Sequence, residues 1–220
     1  MPILKDSSGR WHGLNFTYYG LLTANALVLS AALLIVLLGA VNVPTSVTLA
    51  MLVVVLLICL PAAKWVAGLV EGKNCTFTVA GAFFVGMFVT PLVLQSFNAL
   101  LSRAQMNEIP VMAALAAVMI VSGMGEGLGR IACISFGCCY GKPLAKVHPT
   151  VRRISDKWNF VFSGKMKKIS YASGMEGKEV VPIQAITSVL YVLVGLLSTL
   201  LFLRAHFSFA FFLMVVITQG

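Results

Sequence analysis

Hydrophobic residues fall in long continuous runs instead of alternating with polar ones. An α-helix needs roughly 20 residues to cross about 30 Å of hydrocarbon. Five runs reach that length, the fourth only by including a glycine-rich end, and a sixth run, Phe207–Thr218, is too short to cross alone. The pattern therefore predicts an all-α polytopic membrane protein with about six transmembrane helices. The five long runs are Phe16–Val41, Val43–Ala63, Cys75–Leu101, Ile109–Gly129 and Val180–Leu203.

Composition supports the same conclusion. The chain is 59% hydrophobic and only 10% charged, with a mean hydropathy of +0.95. One soluble core of this length could not bury so much apolar surface. No internal repeat or low-complexity tract is visible, so we predict a single integral membrane domain over residues 1–220.

The longest polar stretch, residues 142–179, lies between the fourth and fifth long runs. It carries nine lysines and arginines against three acidic residues, and so supplies six of the net nine positive charges. We predict a small basic cap at the membrane interface, where each charge near acidic headgroups contributes about 1 kcal/mol to binding. A nucleic-acid partner is not expected, because no groove-reading motif accompanies the charge.

Alternating spans place 14 of the 16 basic residues on one side of the bilayer, together with the cap. Arg103 and Arg204 are the two on the other side. The positive-inside rule makes the crowded side cytoplasmic.

The segment Gly123–Pro143, "GMGEGLGRIACISFGCCYGKP", places an acid and a base at the end of the fourth run. Glu126 and Arg130 are four residues apart, so in a helix they share a face and can pair. Such a pair could merely make burial of two charges tolerable, but ionisable residues at membrane depth are candidates for function. The planar fork of arginine donors matches phosphate oxygens. We therefore predict that Arg130 binds a phosphodiester headgroup.

The glycines before Arg130 have two interpretations. Gly123 with Gly127, and Gly125 with Gly129, are small-xxx-small pairs that allow close helix packing in lipid. Alternatively, glycines beside the arginine admit the headgroup. The segment is not a phosphate-binding P-loop, because it lacks the Gly-Lys-Ser/Thr ending.

The stretch "GLGRIACISFGCCYG", residues 127–141, resembles the signature of the prolipoprotein diacylglyceryl transferase family. In that signature a Gly-Arg-Ile-Gly core is followed, seven residues after the arginine, by a glycine and then by Tyr-x-Gly or Tyr-Gly. Arg130, Gly137, Tyr140 and Gly141 stand at the matching places. Weaker similarities occur in the family's order at "FTYYGLL" (16–22), "FTVAGAFFVG" (77–86) and "VVPIQAI" (180–186).

The sequence also departs from the family. Val79 and Val181 stand where the family has histidines, and Cys133 and Cys138 stand where its signature has asparagine and glutamate. The family has an arginine on its last helix, and that arginine has no counterpart in these 220 residues. The resemblance thus supports the fold and an anionic phospholipid ligand better than it supports the family's reaction.

That reaction, as the resemblance implies, is attack by a lipoprotein cysteine thiolate on the glycerol carbon of phosphatidylglycerol, expelling glycerol phosphate. It takes place at the outer face of the cytoplasmic (plasma) membrane, which conflicts with the charge count. A cap that is basic because it gathers anionic lipid weakens the charge argument, so we favour the outer face. The acceptor is not identified by the sequence. A non-enzymatic phospholipid-binding or scaffold protein is the alternative.

In the transferase interpretation, a lipid-filled cavity has its polar end at Arg130, which clamps the donor phosphate. Glu126 orients the arginine or relays a proton. We interpret His12 first as an interfacial anchor beside its aromatic neighbours. It is also the first substitute for the missing general base, ahead of His148 and then Glu126. The expected substrate-binding residues are Gly125, Gly127, Gly129, Gly137, Tyr19, Tyr140, Gly141 and Gln184.

Three cysteines complete the motif: Cys133, Cys138 and Cys139. We interpret them first as small packing residues. Adjacent cysteines suit one tetrahedral zinc poorly, and zinc would need a fourth ligand such as His148, so no metal or other cofactor is predicted. Two alternatives are a thiolate activated by Arg130 and a disulfide to Cys75 in an oxidising compartment.

Overall fold

The computed structural model describes residues 4–5, 11–12, 17–71 and 79–219. Helices dominate this part of the chain, and strands occur only as two-residue pairs. The helices are α1 Tyr18–Ala40, α2 Thr45–Glu71, α3 Val79–Arg103, α4 Val111–Phe136, α5 Pro149–Ser155, α6 Lys168–Ser173, α7 Ile183–Leu203 and α8 Phe207–Gln219. The strands are β1 Leu4–Lys5, β2 Trp11–His12, β3 Phe160–Val161 and β4 Glu179–Val180; β1 pairs with β2 and β3 with β4, both antiparallel.

Five helices are long and apolar enough to cross a membrane: α1, α2, α3, α4 and α7. The protein is therefore an all-α polytopic integral membrane protein, as predicted. Helix α8 has 13 residues, about 20 Å, which is shorter than the hydrocarbon core. Helix α4 is the most enclosed of the five, with 50% of its apolar window buried against 22% in each of the others.

Several helix boundaries differ from the hydrophobic runs, and the largest difference is at α2, which continues eight residues beyond Ala63 to Glu71. Helix α4 continues seven residues beyond Gly129 to Phe136, so Arg130 and Cys133 are helical. The hydrophobic run ends before the basic Arg130, whereas the helix continues as far as its C-cap at Gly137. Helix α7 begins at Ile183, directly after Pro182, and proline is favoured at the start of a helix because its missing N–H has no partner to lose there.

Contacts group the chain into two compact units, residues 1–30 with 122–196 and residues 31–121 with 197–220. In the second unit α2 packs against α3. The Asn98 side chain there accepts from the Ile109 N–H at 2.8 Å and donates to its carbonyl at 3.0 Å, which fixes the turn before α4. A cavity of about 310 Å³ between the start of α2 and the end of α3 is lined by Ser46, Val47, Ala50, Phe97, Leu100, Leu101 and Ala104.

The first unit contains the basic cap. A small core of Phe162, Ile169 and Val180 is buried there, with Ile134 of α4 and Tyr140 packed against it. The cap is therefore attached to the end of α4 through apolar contacts. Its β4 strand leads directly into α7, so the same segment also fixes the start of that helix.

The surface of the cap combines charge with large apolar side chains. Eight of its nine lysines and arginines are exposed, all but Lys167. Ile154, Trp158 and Met166 are exposed as well. Cations beside exposed aromatic and aliphatic groups are typical of surfaces that lie at a membrane interface.

Gly137 ends α4. Its φ is +69°, a left-handed conformation; its N–H and that of Cys138 both donate to the Cys133 carbonyl, at 2.8 and 3.1 Å. This is a helix C-cap of the type that glycine favours. A Cβ at Gly137 would lie 3.2 Å from the Lys167 Cβ, so neither the conformation nor the space suits another residue.

We expect Gly137→Ala to lower the free energy of unfolding by about 1 kcal/mol or more, since alanine disfavours positive φ. The measurement is thermal unfolding of the purified protein in detergent. Gly39→Ala is the matched control, because a Cβ at Gly39, inside α1, meets nothing within 4 Å. Equal melting temperatures for the two variants would contradict this role of Gly137.

Candidate functional site

Arg130 and Glu126 form an ion pair on one face of α4, with Arg130 Nη2 2.5 Å from Glu126 Oε1. Their side chains are 28% and 30% exposed. Helix α4 is about 39 Å long and Arg130 lies about 9 Å from its end, so the pair lies near one end of the span. The Arg130 Nε is buried and has no hydrogen-bond partner among the described residues. The guanidinium therefore keeps donor capacity beyond the bond to Glu126.

The glycines around this pair divide into two groups. A Cβ at Gly125 would lie 2.5 Å from the Ser30 Oγ, and one at Gly127 would lie 2.9 Å from the Tyr191 Cβ. These two glycines allow close approach of α1 and α7, as the small-residue spacing predicts. A Cβ at Gly129 would meet nothing within 4 Å, so Gly129 alone of the three has open space beside it.

The loop that follows α4 is held from several sides. The buried Gln184 donates from Nε2 to the Cys138 carbonyl at 2.9 Å, while its Oε1 has no partner among the described residues. Gly141 packs so closely on Val181 that a Cβ would overlap its carbonyl. The Ile169 N–H donates to the Gly137 carbonyl at 3.0 Å. Gly137, Gly141 and Gln184, expected to bind substrate, thus have structural contacts in this loop.

The loop gathers the three cysteines of the motif, whose sulfur atoms all lie within 4.8 Å of one another. Cys138 is buried, Cys133 is half-buried and Cys139 is exposed, so Cys139 is not the buried packing residue that we expected. Cys139 has a left-handed φ of +52°, which is uncommon outside glycine. All three are free thiols.

Hydrogen bonding from the neighbouring Cys133 and Cys138 thiols would stabilise a Cys139 thiolate and so lowers the pKa of Cys139, and the nearby positive charges of Arg130 and Lys168 lower it further. For Cys138, the bond with Cys133 lowers the pKa, but the bond with Cys139 and burial outweigh that effect and raise it. The cations beside the exposed Cys139 sulfur therefore favour its thiolate form.

Two tyrosines of the predicted site have different surroundings. The Tyr19 ring lies 5.5 Å from the Phe136 ring, and its hydroxyl is close enough to the three thiols to interact electrostatically. The Tyr140 hydroxyl is hydrogen-bonded to the Ser173 side chain, and its ring packs on the cap core. Tyr19 thus lies beside the motif, whereas Tyr140 attaches the loop to the cap.

Of the two histidine candidates, only His148 has its side chain among the described residues. The His12 backbone pairs with Leu4, but its side chain lies outside the described residues, as do the Val79 side chain and Cys75. His148 instead caps α5, where its Nδ1 accepts from the Thr150 N–H at 3.4 Å.

A cavity was expected around Arg130, but the lining of two cavities among the described residues does not include Arg130. One is the apolar cavity between α2 and α3; the other, of about 230 Å³, lies in the cap and is lined by Pro143, Leu144, Ala145, Arg152, Lys178 and Glu179. Glu126 occupies one side of the guanidinium, and Tyr191 packs on the adjacent Gly127. A ligand would approach Arg130 through its exposed fraction.

Two lysines of the site were not found by sequence reasoning. The Lys167 Nζ donates to the Ser135 carbonyl, and Lys168 lies near the thiols. Both belong to the cap, about thirty residues after α4, and no spacing rule connects them to the motif. In the sequence, the positive charges of these two lysines indicated only that the surface of the cap is basic.

Compared with known proteins, the chain matches no family model, no curated protein and no solved structure.

Exposure predicts the order in which the three thiols react with a water-soluble maleimide. We expect Cys139 to be labelled first and the buried Cys138 last, because only an accessible sulfur meets the reagent. The measurement is mass spectrometry of the protein after timed labelling, in a Cys59→Ser, Cys75→Ser background that leaves only these three cysteines. Equal labelling rates, or earlier labelling of Cys138, would show that the loop does not have this arrangement.

Proposed function

We propose that this integral membrane protein is a glycerolipid transferase resembling the prolipoprotein diacylglyceryl transferases. In this proposal Arg130 binds the phosphate of an anionic phospholipid such as phosphatidylglycerol. The supporting observation is the guanidinium itself, which is half-buried near the end of a membrane-spanning helix and has a buried Nε without a partner. An arginine there presents hydrogen-bond donors at about the depth of a headgroup phosphate.

Glu126 fixes the direction of the guanidinium. Because the acid lies one turn earlier on the same helix, it restricts the arginine to one side of α4. A phosphodiester carries one negative charge and accepts from two oxygens, which suits the donors that Glu126 leaves available. The open space at Gly129, adjacent in sequence to Arg130, is the proposed approach for the headgroup.

The proposed chemistry is a displacement at carbon. An acceptor nucleophile, a thiolate in the family's reaction, forms a bond to C3 of the diacylglyceryl group. The bond from C3 to the phosphate oxygen breaks, and its electron pair leaves with glycerol phosphate. Arg130 stabilises the charge that accumulates on the departing phosphate, which is how a preorganised cation accelerates such a step. His12 is proposed to take the proton of the acceptor.

The exposed cations of the cap support an anionic lipid donor. A cluster of lysines and arginines next to a membrane span raises the local concentration of anionic lipids. The cap is attached to α4 through Ile134, four residues after Arg130, so lipids gathered there are close to the proposed site.

A second function is favoured by two observations. Valines occupy the family's histidine places at Val79 and Val181, and Glu126 already neutralises Arg130. Both fit a protein that binds phospholipid without transferring it. Turnover distinguishes this non-enzymatic function from the transferase.

We expect the wild-type protein, supplied with labelled phosphatidylglycerol and a membrane extract as the source of acceptor, to release glycerol phosphate. Arg130→Gln should reduce the rate by about 100- to 1,000-fold, the usual effect of removing a donor to a developing charge. Arg130→Lys keeps the pair with Glu126 but loses the planar fork, and should also be impaired.

The matched control is Arg152→Gln, which removes an exposed arginine paired with Asp156 at 4.0 Å in the cap. It should retain nearly full activity. Phospholipid binding without release by the wild type would favour the non-enzymatic function. Equal release by wild type and Arg130→Gln would contradict the role of Arg130.

The proposed orientation places the motif at the outer face of the plasma membrane. A membrane-impermeant maleimide should then label Cys139 in right-side-out membrane vesicles and not in sealed inside-out vesicles, because Cys139 is exposed in the loop after α4. Cys139→Ser in the same background serves as the control for other thiols. The reverse labelling pattern would place the motif in the cytoplasm, and the acceptor would then not be a secreted lipoprotein.

A further inference from the structure

Three thiols converge at the end of α4. Cys133 comes from the last turn of that helix, and Cys138 and Cys139 come from the loop after it. Side chains of adjacent residues in extended backbone point in opposite directions, so two neighbouring cysteines ordinarily would not face a third. Here the chain reverses at Gly137, and Cys139 is left-handed. The three sulfurs consequently lie within 4.8 Å of one another.

This spacing is close to that of a metal–thiolate centre. A metal–sulfur bond of about 2.3 Å places the three sulfurs of a planar three-coordinate site about 4.0 Å apart. Small movements of the side chains would bring the sulfurs to that distance. A disulfide would use two of the three sulfurs and leave the third without a role.

The ligand set selects the ion. Thiolates prefer soft ions such as copper(I) and zinc, whereas calcium and magnesium need oxygen ligands. Within the described part of the chain, the group of possible ligands at this place contains the three cysteines and no histidine or carboxylate. Structural zinc sites almost always have four protein ligands, so three thiolates suit copper(I) better.

The charges around the thiols fit such a centre. Copper(I) with three thiolates has a net charge of −2, and such a charge is costly in a partly buried site unless cations lie nearby. Arg130 and Lys168 both lie close enough to the thiols to interact electrostatically with them. The Glu126 carboxylate is paired with Arg130.

We propose that Cys133, Cys138 and Cys139 form a three-coordinate thiolate site for copper(I). Each thiol that coordinates the ion releases its proton, and no electron is transferred. The ion reaches the site from the side of Cys139, the exposed ligand, and is then held by the half-buried Cys133 and the buried Cys138. Binding of copper(I) does not require phospholipid turnover, so the two proposals can fail separately.

The test uses the full chain in detergent, in the Cys59→Ser, Cys75→Ser background, with a reductant that contains no thiol. Copper(I) is titrated against a chromophoric copper(I) chelator. We expect one ion per chain, with X-ray absorption showing three sulfur atoms at about 2.3 Å. Replacing any one of the three cysteines by serine should weaken binding by more than about 100-fold, since even losing an outer-shell partner typically costs 10- to 100-fold.

Cys139→Ser is the decisive variant, because its side chain is exposed and the substitution should leave the fold intact. Thermal unfolding of each variant without copper verifies that it is folded. Failure of the background protein to compete with the chelator would overturn the proposal, whether or not zinc binds. Undiminished binding by folded Cys139→Ser would overturn it as well.

Discussion

The ion pair between Arg130 and Glu126 allows two charges to lie within α4 and so determines how the neighbouring helices can pack around them. Arginine stays charged at any ordinary pH, and α4 is the most enclosed of the five long helices. A charge there is costly unless an opposite charge lies beside it. The carboxylate one turn earlier supplies that charge without any contribution from another helix. Gly125 and Gly127 then let α1 and α7 pack closely on the same part of α4.

The way in which α4 ends determines the path of the loop that follows it. Gly137 closes the helix with a left-handed residue, and the chain turns back toward the last helical turn. The Cys138 carbonyl is held by the buried Gln184, and Gly141 is fitted against Val181. The helix cap at Gly137 and the contacts of the loop after it thus position the cysteines together. The strict requirement for glycine at positions 137 and 141 is explained by backbone geometry and needs no bound substrate.

Hydropathy was enough to predict the five long helices, because a bilayer imposes a minimum apolar length on any helix that crosses it. It misplaced the ends of α2 and α4, because each hydrophobic run stops before a basic residue, Lys64 or Arg130, whereas the helix continues past that residue. The four-residue spacing correctly predicted that Glu126 and Arg130 share a helix face. Which glycines pack could not be predicted, because the answer depends on Ser30 and Tyr191, far away in sequence. The convergence of the thiols depends on the φ of Cys139, and no residue pattern predicted it.

The two proposed ligands would both depend on Arg130. A phosphodiester is anionic, and so is copper(I) bound by three thiolates, whereas three protonated thiols are neutral. If both sites form, the negatively charged metal centre offsets part of the positive potential of Arg130 that attracts the phosphate. The metal centre and the phosphate also repel each other, because both are negative and lie close together. Coupling of this kind is reciprocal, so phospholipid weakens copper binding by the same factor as copper weakens phospholipid binding. The metal-free, protonated cluster is therefore the state in which the guanidinium is most available to a lipid headgroup.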